Sequence, residues 1–306
     1  MGGGHSHSHA PAGAADQRRR LALVLGITTF ALVVEVVGAV ISGSLALLAD
    51  AGHALTDAAG LTLALVAAVL AQRPATPQRT WGYRRAEVLA AAAQAAVLLA
   101  VGLFVIVEGV RRLLDPPEVA STAMLVFGLV GLVGNTVGIA VLATSRRQNL
   151  NMRAAFLEVV NDALGSAAVL VAAACIALFG WQRADAVASL LIGALILPRT
   201  WRLLRETVDV LLESTPRGMD LDAVRARLLA VDHVREVHDL HASQVATDLP
   251  VLTAHIVVDD TCFHDAHLPA LLDELQACLA TDFDVEHSTL QFERASHADH
   301  EHATHA

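Results

Sequence analysis

Long runs of apolar residues, separated by short polar segments, dominate the first two thirds of the chain. Six of these runs reach or approach the roughly 20 residues that an α-helix needs to cross about 30 Å of hydrocarbon. They lie at residues 21–40, 45–71, 88–110, 120–143, 154–179 and 184–204. Because backbone polar groups find no water partner inside a bilayer, each run is predicted to form a transmembrane helix. The sixth run carries the weakest signal, since Pro198 and Arg199 follow its apolar part.

Composition and charge agree with a membrane protein. Of the 306 residues, 55% are apolar and only 17% are charged. The formal net charge is −10, and no basic surface typical of nucleic-acid binding is present, so nucleic acid is not a predicted partner. The predicted partner is the lipid bilayer.

The arginines predict the orientation, because the chain contains no lysine. Most arginines that flank the six runs fall on one side, and only Arg111, Arg112 and Arg183 fall on the other. The positive-inside rule therefore places both termini in the cytoplasm of a multi-pass cell-membrane protein. No cleavable signal peptide is expected before the first run, since a Gly- and His-rich start is followed by arginines and a full-length span.

A second, less hydrophobic pattern begins after residue 213. Residues 221–231 and 268–279 have helical spacing, whereas residues 234–245, 251–258 and 285–292 are typical of strands. The order αββαβ predicts a small cytosolic α+β domain of the ferredoxin or metallochaperone type. The predicted organisation is a disordered His-containing tail at 1–17, a six-helix membrane domain at 18–213, the cytosolic domain at 214–294 and a His-rich tail at 295–306.

Two pairs of potential metal ligands interrupt the apolar runs. His53 and Asp57 are four residues apart in the second run, and Glu158 and Asp162 are four apart in the fifth. Residues with this spacing share one face of a helix. Ionisable groups inside a membrane are costly, so a functional role is their default explanation. If the two faces meet, they surround one ion with four donors of the kinds that zinc accepts in tetrahedral sites.

A structural alternative exists for polar residues in a bundle, because they can hydrogen-bond neighbouring helices. That explanation is preferred for Gln94, Asn135 and Asn161, and it is disfavoured for two matched pairs of ionisable groups. For Asp50, one turn before His53, a gating or supporting role is expected rather than ligation.

Three segments resemble the cation diffusion facilitators, and in particular the zinc-exporting branch of that family. They are SLALLADAGHALTD at 44–57, WGYRRAEVLA at 81–90 and NDALGS at 161–166, and the resemblance continues to VEHSTLQ at 285–291. It implies six transmembrane helices, a homodimer, and export of a divalent cation from the cytoplasm in exchange for protons. The family's ligands for the transported ion match His53, Asp57 and Asp162. The resemblance implies a transporter, with metal as substrate and possible regulatory ligand and with no cofactor.

Glu158 departs from the resemblance, since the zinc branch usually has histidine at that position. Three ionised carboxylates would leave bound Zn²⁺ in a site with a net negative charge. Oxygen donors shift preference toward harder ions, whereas His53 and the stability order of divalent metals favour Zn²⁺. Zn²⁺ is therefore the predicted substrate, with Co²⁺, Cd²⁺, Fe²⁺ and Mn²⁺ as alternatives, and Glu158→His is expected to retain zinc transport.

Histidines of the cytosolic domain form a second candidate metal site. His238 and His255 lie on adjacent predicted strands, His267 at a helix start and His287 on the third strand. The resemblance implies cytosolic metal binding at such places, and the tails are expected to collect metal weakly.

Two other functions compete with transport. A membrane metalloenzyme would need an open zinc position and a recognisable catalytic motif, and the chain has no His-Glu-x-x-His. A membrane-anchored metal sensor would use the cytosolic histidines, but it leaves the transmembrane pairs unexplained. Metal flux into sealed vesicles distinguishes all three functions.

Overall fold

The computed structural model describes residues 12–143, 150–246, 249–264 and 266–298. Residues 1–11 of the N-terminal tail and residues 299–306 of the His-rich tail lie outside these ranges, and so do residues 144–149, 247–248 and 265. The predictions made for those segments therefore stay predictions.

The first part of the chain forms six long helices. They are α1 (Ala12–Ser42), α2 (Leu45–Ala71), α3 (Ala86–Leu114), α4 (Ser121–Ala143), α5 (Leu150–Phe179) and α6 (Arg183–Leu211). Among the described residues, α2 to α6 are long and apolar enough to cross a membrane, and the apolar part of α1 that is described covers Thr29–Ser42. The predicted membrane bundle is confirmed, including its weakest helix, α6, which continues through Pro198.

By contacts, the chain divides into two compact units. One combines the chain up to Thr62 with Gln94–Arg202, and the other combines Leu63–Ala93 with the chain from Leu203 onward. These units do not test the predicted boundary between the membrane domain and the cytosolic domain at residues 213 and 214, which stays a prediction.

Small residues let the helices of the first unit approach closely. Its largest buried cluster takes members from all six helices and is rich in alanine, with Ala39, Ala46, Ala49, Ala172, Ala173, Ala184 and Ala188 among them. Gly165 of α5 lies against Asp50 of α2, and a Cβ atom added there would overlap the Asp50 carboxylate. Gly165 thus leaves room for the Asp50 side chain, and small residues of this kind are typical of contacts between membrane helices.

An acidic residue of another helix caps α2. Asp185 of α6 accepts hydrogen bonds from the backbone N–H groups of Leu45 and Ala46 and from the Ser44 hydroxyl. The first turn of a helix has unpaired N–H groups and a partial positive charge, and a carboxylate satisfies both. This cap fixes the start of α2, two turns before His53.

The last part of the chain is a small α+β fold with the predicted order of elements. It contains α7 (Leu221–Leu229), β1 (Val234–Ala246), β2 (Leu249–Val258), α8 (Leu268–Phe283) and β3 (His287–Glu293), with a short 3₁₀ turn before α8 and a short helix, α9 (Ala295–Ala298), at the end. Asp220 caps α7 by accepting hydrogen bonds from the backbone N–H groups of Asp222 and Ala223.

The described strands form one sheet in the order β1-β2-β3. β1 pairs with β2 antiparallel, β2 pairs with β3 parallel, and α8 makes the crossover that a parallel pair requires. Both helices pack on one face, where Val224, Leu228, Leu271, Leu275 and Leu279 meet Leu252, Ala254 and Ile256. Since side chains alternate along a strand, His255 projects from the opposite face.

Candidate metal centres

In the membrane region, the structure brings three of the four predicted ligands together. The ligand atoms of His53, Asp57 and Asp162 all lie within 4.8 Å of one another. His53 Nε2 is 3.5 Å from Asp57 Oδ2, one turn away on α2. Tetrahedral zinc with bonds of about 2.1 Å separates its ligand atoms by about 3.4 Å, so small side-chain movements suffice to close this set around an ion.

The same three side chains contain buried polar atoms that lack hydrogen bonds. Within the described part of the chain, these are His53 Nδ1, Asp57 Oδ2 and Asp162 Oδ1. A buried polar atom without a partner costs about 1–3 kcal/mol. Such atoms are rare in folded proteins and call for a specific explanation, and a cation bound by the two carboxylates is one that fits this donor set.

Glu158 lies at the edge of the membrane cluster and has a different partner. Its Oε1 atom is 3.8 Å from His53 Nε2, and its Oε2 atom accepts a hydrogen bond of 3.0 Å from Arg199 Nη2 on α6. The three-residue set of mutually close ligand atoms does not include it. From the sequence, Arg199 was only a charge that follows the apolar part of the sixth run, and its contact with Glu158 was not predicted.

A polar layer adjoins the cluster. The Ser166 hydroxyl donates to Asp50 Oδ2 at 3.1 Å and accepts from the Asn135 side-chain amide at 3.3 Å. Glu35 of α1 is 3% exposed and faces the same place, because a Cβ atom on Gly131 would meet both Glu35 and Ser166. Asp50 therefore lies in this polar layer, one turn before His53 on α2, and its supporting role stays a prediction.

Two of the residues assigned to helix contacts have such contacts. Asn135 bonds Ser166, and the Gln94 amide donates to the backbone carbonyl of Thr56 at 3.3 Å. These bonds join α4 to α5 and α3 to α2.

In the α+β region, two of the four predicted histidines meet a carboxylate. His238 and His255 are directly paired across β1 and β2, with ring centroids 5.2 Å apart. Glu293, the last residue of β3, places Oε1 at 2.9 Å from His255 Nδ1 and Oε2 at 3.3 Å from His238 Nε2. The ligand atoms of all three lie within 4.8 Å of one another.

The other two histidines lie elsewhere. The His267 ring packs edge-on against the His233 ring at 4.8 Å, before the start of α8. The His287 ring packs edge-on against Trp81 at 4.9 Å. His287 pairs with Val251, four residues before His255 along β2, which corresponds to about 13 Å at the usual rise.

Glu293 was missed by the sequence analysis, although the alternation of β3 contained the signal. Side chains alternate along a strand, so Glu293 lies on the same face of β3 as the predicted ligand His287. The predicted strand, 285–292, ends one residue before Glu293, and the candidate ligands in this domain were histidines alone.

Family models match nearly the whole chain. The cation efflux transmembrane domain matches residues 21–212, and the cytoplasmic domain of cation efflux proteins matches residues 216–295. The first match extends from within α1 to the end of α6, and the second covers α7, β1, β2, α8 and β3.

Characterised relatives are similar over most of their length. The chain is 41% identical to the metal cation efflux system protein CzcD of Cupriavidus metallidurans, over 96% of this chain and 91% of the relative. It is 39% identical to the zinc transporter ZitB of Escherichia coli, over 94% and 92%. It is 34% identical to a cadmium, cobalt and zinc/H⁺-K⁺ antiporter of Bacillus velezensis, over 96% and 93%.

One solved structure also resembles part of the chain. The metal-bound C-terminal domain of the CzcD transporter is 36% identical and covers 24% of this chain and 99% of that domain, with a TM-score of 0.22. The family models and the relatives together establish that this chain is a member of the cation efflux, or cation diffusion facilitator, family, and that it is a multi-pass membrane transporter and not an enzyme.

Proposed function

We propose that this transporter moves divalent metal cations, with Zn²⁺ as its main substrate, out of the cytoplasm in exchange for protons. The observation that carries this proposal is the cluster of His53, Asp57 and Asp162 on two membrane helices. Their ligand atoms are close together, buried, and in part without hydrogen bonds. The names of the relatives, which include cation efflux, zinc transport and Cd/Co/Zn antiport, support the same class of substrate.

The donor set favours zinc among divalent ions. One imidazole nitrogen and two carboxylate oxygens belong to the ligand types that Zn²⁺ accepts, with room for a water or a further oxygen in a fourth position. Co²⁺ and Cd²⁺ fit the same donors, and the oxygen content also admits Fe²⁺ and Mn²⁺. Ca²⁺ prefers six to eight oxygen ligands, which this cluster does not provide.

Proton coupling follows from competition at the ligands. Metal binds to deprotonated carboxylates and neutral imidazole, so a bound ion and bound protons exclude each other. A site that faces the cytoplasm loads metal and releases protons, and a site that faces outward does the reverse. The inward proton gradient then drives metal efflux.

We propose that both termini face the cytoplasm and that the protein works as a homodimer. The arginine distribution supports the orientation. The match to the cytoplasmic domain of cation efflux proteins and the small size of the α+β fold support assembly of two chains through that domain.

We further propose that His238, His255 and Glu293 bind a second metal ion. Three ligand atoms within 4.8 Å, with the Glu293 side chain almost fully buried, form a compact N/O site on the sheet face away from α7 and α8. Metal here would stabilise the domain, and an ion sensed at this site would regulate transport.

Zinc flux into proteoliposomes with an imposed proton gradient tests the proposed function. Asp162→Ala should abolish uphill zinc movement, whereas Asn161→Ala, an exposed neighbour on the same helix, should retain it. A fluorescent pH probe should report opposing proton movement in the wild type only when zinc moves. Undiminished transport by Asp162→Ala, or uphill transport after collapse of the gradient, contradicts the proposal. A metal sensor or a metalloenzyme would give no flux in any variant.

A further inference from the structure

Glu158 and Arg199 form an ion pair beside the membrane cluster, and the function described so far does not use it. The Arg199 guanidinium on α6 donates to Glu158 Oε2 on α5 at 3.0 Å. The Glu158 side chain is 28% exposed, and its other oxygen faces His53 at 3.8 Å. An arginine within a membrane helix is costly unless it meets a partner or reaches polar surroundings, so this contact requires an explanation.

The charge of the site explains the contact between Glu158 and Arg199. His53, Asp57, Glu158 and Asp162 contain three carboxylates, so the ionised set with neutral His53 has a charge of −3, and Zn²⁺ leaves −1. With Arg199 included the set has a charge of −2, which a divalent cation cancels. In a medium of low dielectric constant, an uncompensated charge is strongly unfavourable.

The geometry separates the roles of the carboxylates. Asp57 Oδ2 and Asp162 Oδ1 are buried without hydrogen bonds among the described residues, and both residues belong with His53 to the set of mutually close ligand atoms. Glu158 does not belong to that set, although it hydrogen-bonds the Asp57 carboxyl. The Glu158 oxygen that Arg199 holds is already engaged in a charge-assisted hydrogen bond, which is roughly twice as strong as a neutral one. To ligate the ion through that oxygen, Glu158 would have to give up its guanidinium partner.

We propose that Arg199 is the fixed counter-charge of Glu158, and that this pair stands beside the transported ion and not in its coordination shell. The inference rests on the proposed transport site at His53, Asp57 and Asp162. Arg199 is then a positioning residue that sets the net charge of the site. With the guanidinium present, the site has the charge of −2 that a divalent cation neutralises. Glu158→His alone is therefore no longer expected to retain zinc transport, because it removes the carboxylate and leaves the Arg199 guanidinium unpaired beside the ion.

A charge cycle in proteoliposomes tests the pair through the zinc KM and the maximal rate. Glu158→Gln should raise KM by about tenfold, because the remaining guanidinium repels zinc, and Arg199→Gln should lower KM and slow release. The double variant Glu158→Gln/Arg199→Gln should return to within about threefold of the wild-type KM, because the net charge is restored. Arg199→Lys should stay close to wild type, and Arg202→Gln, an exposed neighbour on α6, should have no effect.

The histidine background gives a second cycle. Glu158→His should transport poorly, and Glu158→His/Arg199→Gln should recover. A double variant Glu158→Gln/Arg199→Gln as impaired as Glu158→Gln would show that Glu158 itself ligates the ion and would overturn the inference. Arg199→Gln should also be compared in two backgrounds, the wild type and Glu158→His. If it reduced zinc transport equally in both, Arg199 would have a purely structural role, and the inference would again be overturned. Either result leaves the proposed function intact, since that depends on the Asp162→Ala flux.

Discussion

Asp185 and Leu45 are joined by a 2.8 Å hydrogen bond from the Leu45 backbone N–H to the Asp185 carboxylate. Through this bond α6 holds the N-terminus of α2, the helix that carries His53 and Asp57. Arg112 of α3 approaches the same carboxylate at 3.6 Å. The cap thus links three helices at the end of α2 that lies two turns before His53.

Removal of the cap should therefore destabilise the protein and reduce transport together. Loss of an N-cap side chain costs about 1–2 kcal/mol, and each kcal/mol shifts the unfolding temperature of a chain of this size by about 2–4 °C. Asp185→Ala should lower the unfolding temperature in detergent and reduce zinc flux. Asp115→Ala, at an exposed acidic residue, is the matched control. An unchanged unfolding temperature for Asp185→Ala would argue against the cap.

The close approach of α2 and α5 at Gly165 makes a further prediction. Replacement of a helical glycine by alanine normally stabilises a helix by up to about 1 kcal/mol. At Gly165 the added methyl group collides with Asp50, and such overpacking costs about 1–3 kcal/mol, so the net effect should be destabilising.

Gly165→Ala should accordingly unfold at a lower temperature and bind zinc more weakly. Gly26→Ala serves as its control, because among the described residues no atom lies within 4 Å of a Cβ atom added there. Equal behaviour of the two variants would mean that α2 and α5 are farther apart than the structure places them.

In the cytosolic site, Glu293 should matter as much as the histidines. In full-length protein with Asp162→Ala, which removes the membrane site, Glu293→Gln should weaken zinc binding by at least about tenfold. Glu286→Gln, at an exposed acidic residue just before β3, should not. Calorimetric titration with zinc measures both. Equal affinities for the two variants would remove Glu293 from the site.

The four histidines should divide into two groups in the same titration. His238→Ala and His255→Ala should each weaken high-affinity zinc binding, because these residues share the carboxylate of Glu293. His267→Ala and His287→Ala should leave it nearly unchanged within a single chain, since their rings contact His233 and Trp81 instead. A loss of affinity in His267→Ala would indicate that the site draws on residues beyond the trio.

Local periodicity explains what could be predicted from the sequence. The membrane helices and the αββαβ order follow from runs and alternations of apolar residues, and the structure agrees with both. His53, Asp57 and Asp162 were recognisable because residues four apart on a helix share a face, and because acids are rare in apolar runs.

Contacts between distant segments could not be predicted in this way. Arg199 looked like a charge at the end of a span, and only the packing of α6 beside α5 brings it to Glu158. Glu35 lies within the first apolar run, and only the packing of α1 against α4 and α5 buries it in the polar layer near Ser166. The register of β3 against β2 decides that Glu293, and not His287, lies near His255.

The most direct test locates zinc itself, by anomalous diffraction at the zinc edge from zinc-bound crystals of the full chain. We expect a peak in the membrane region at about 2.0–2.2 Å from a nitrogen of His53 and from oxygens of Asp57 and Asp162. A zinc peak elsewhere in the membrane region, or α2 and α5 with these side chains turned away from each other, would contradict this expectation.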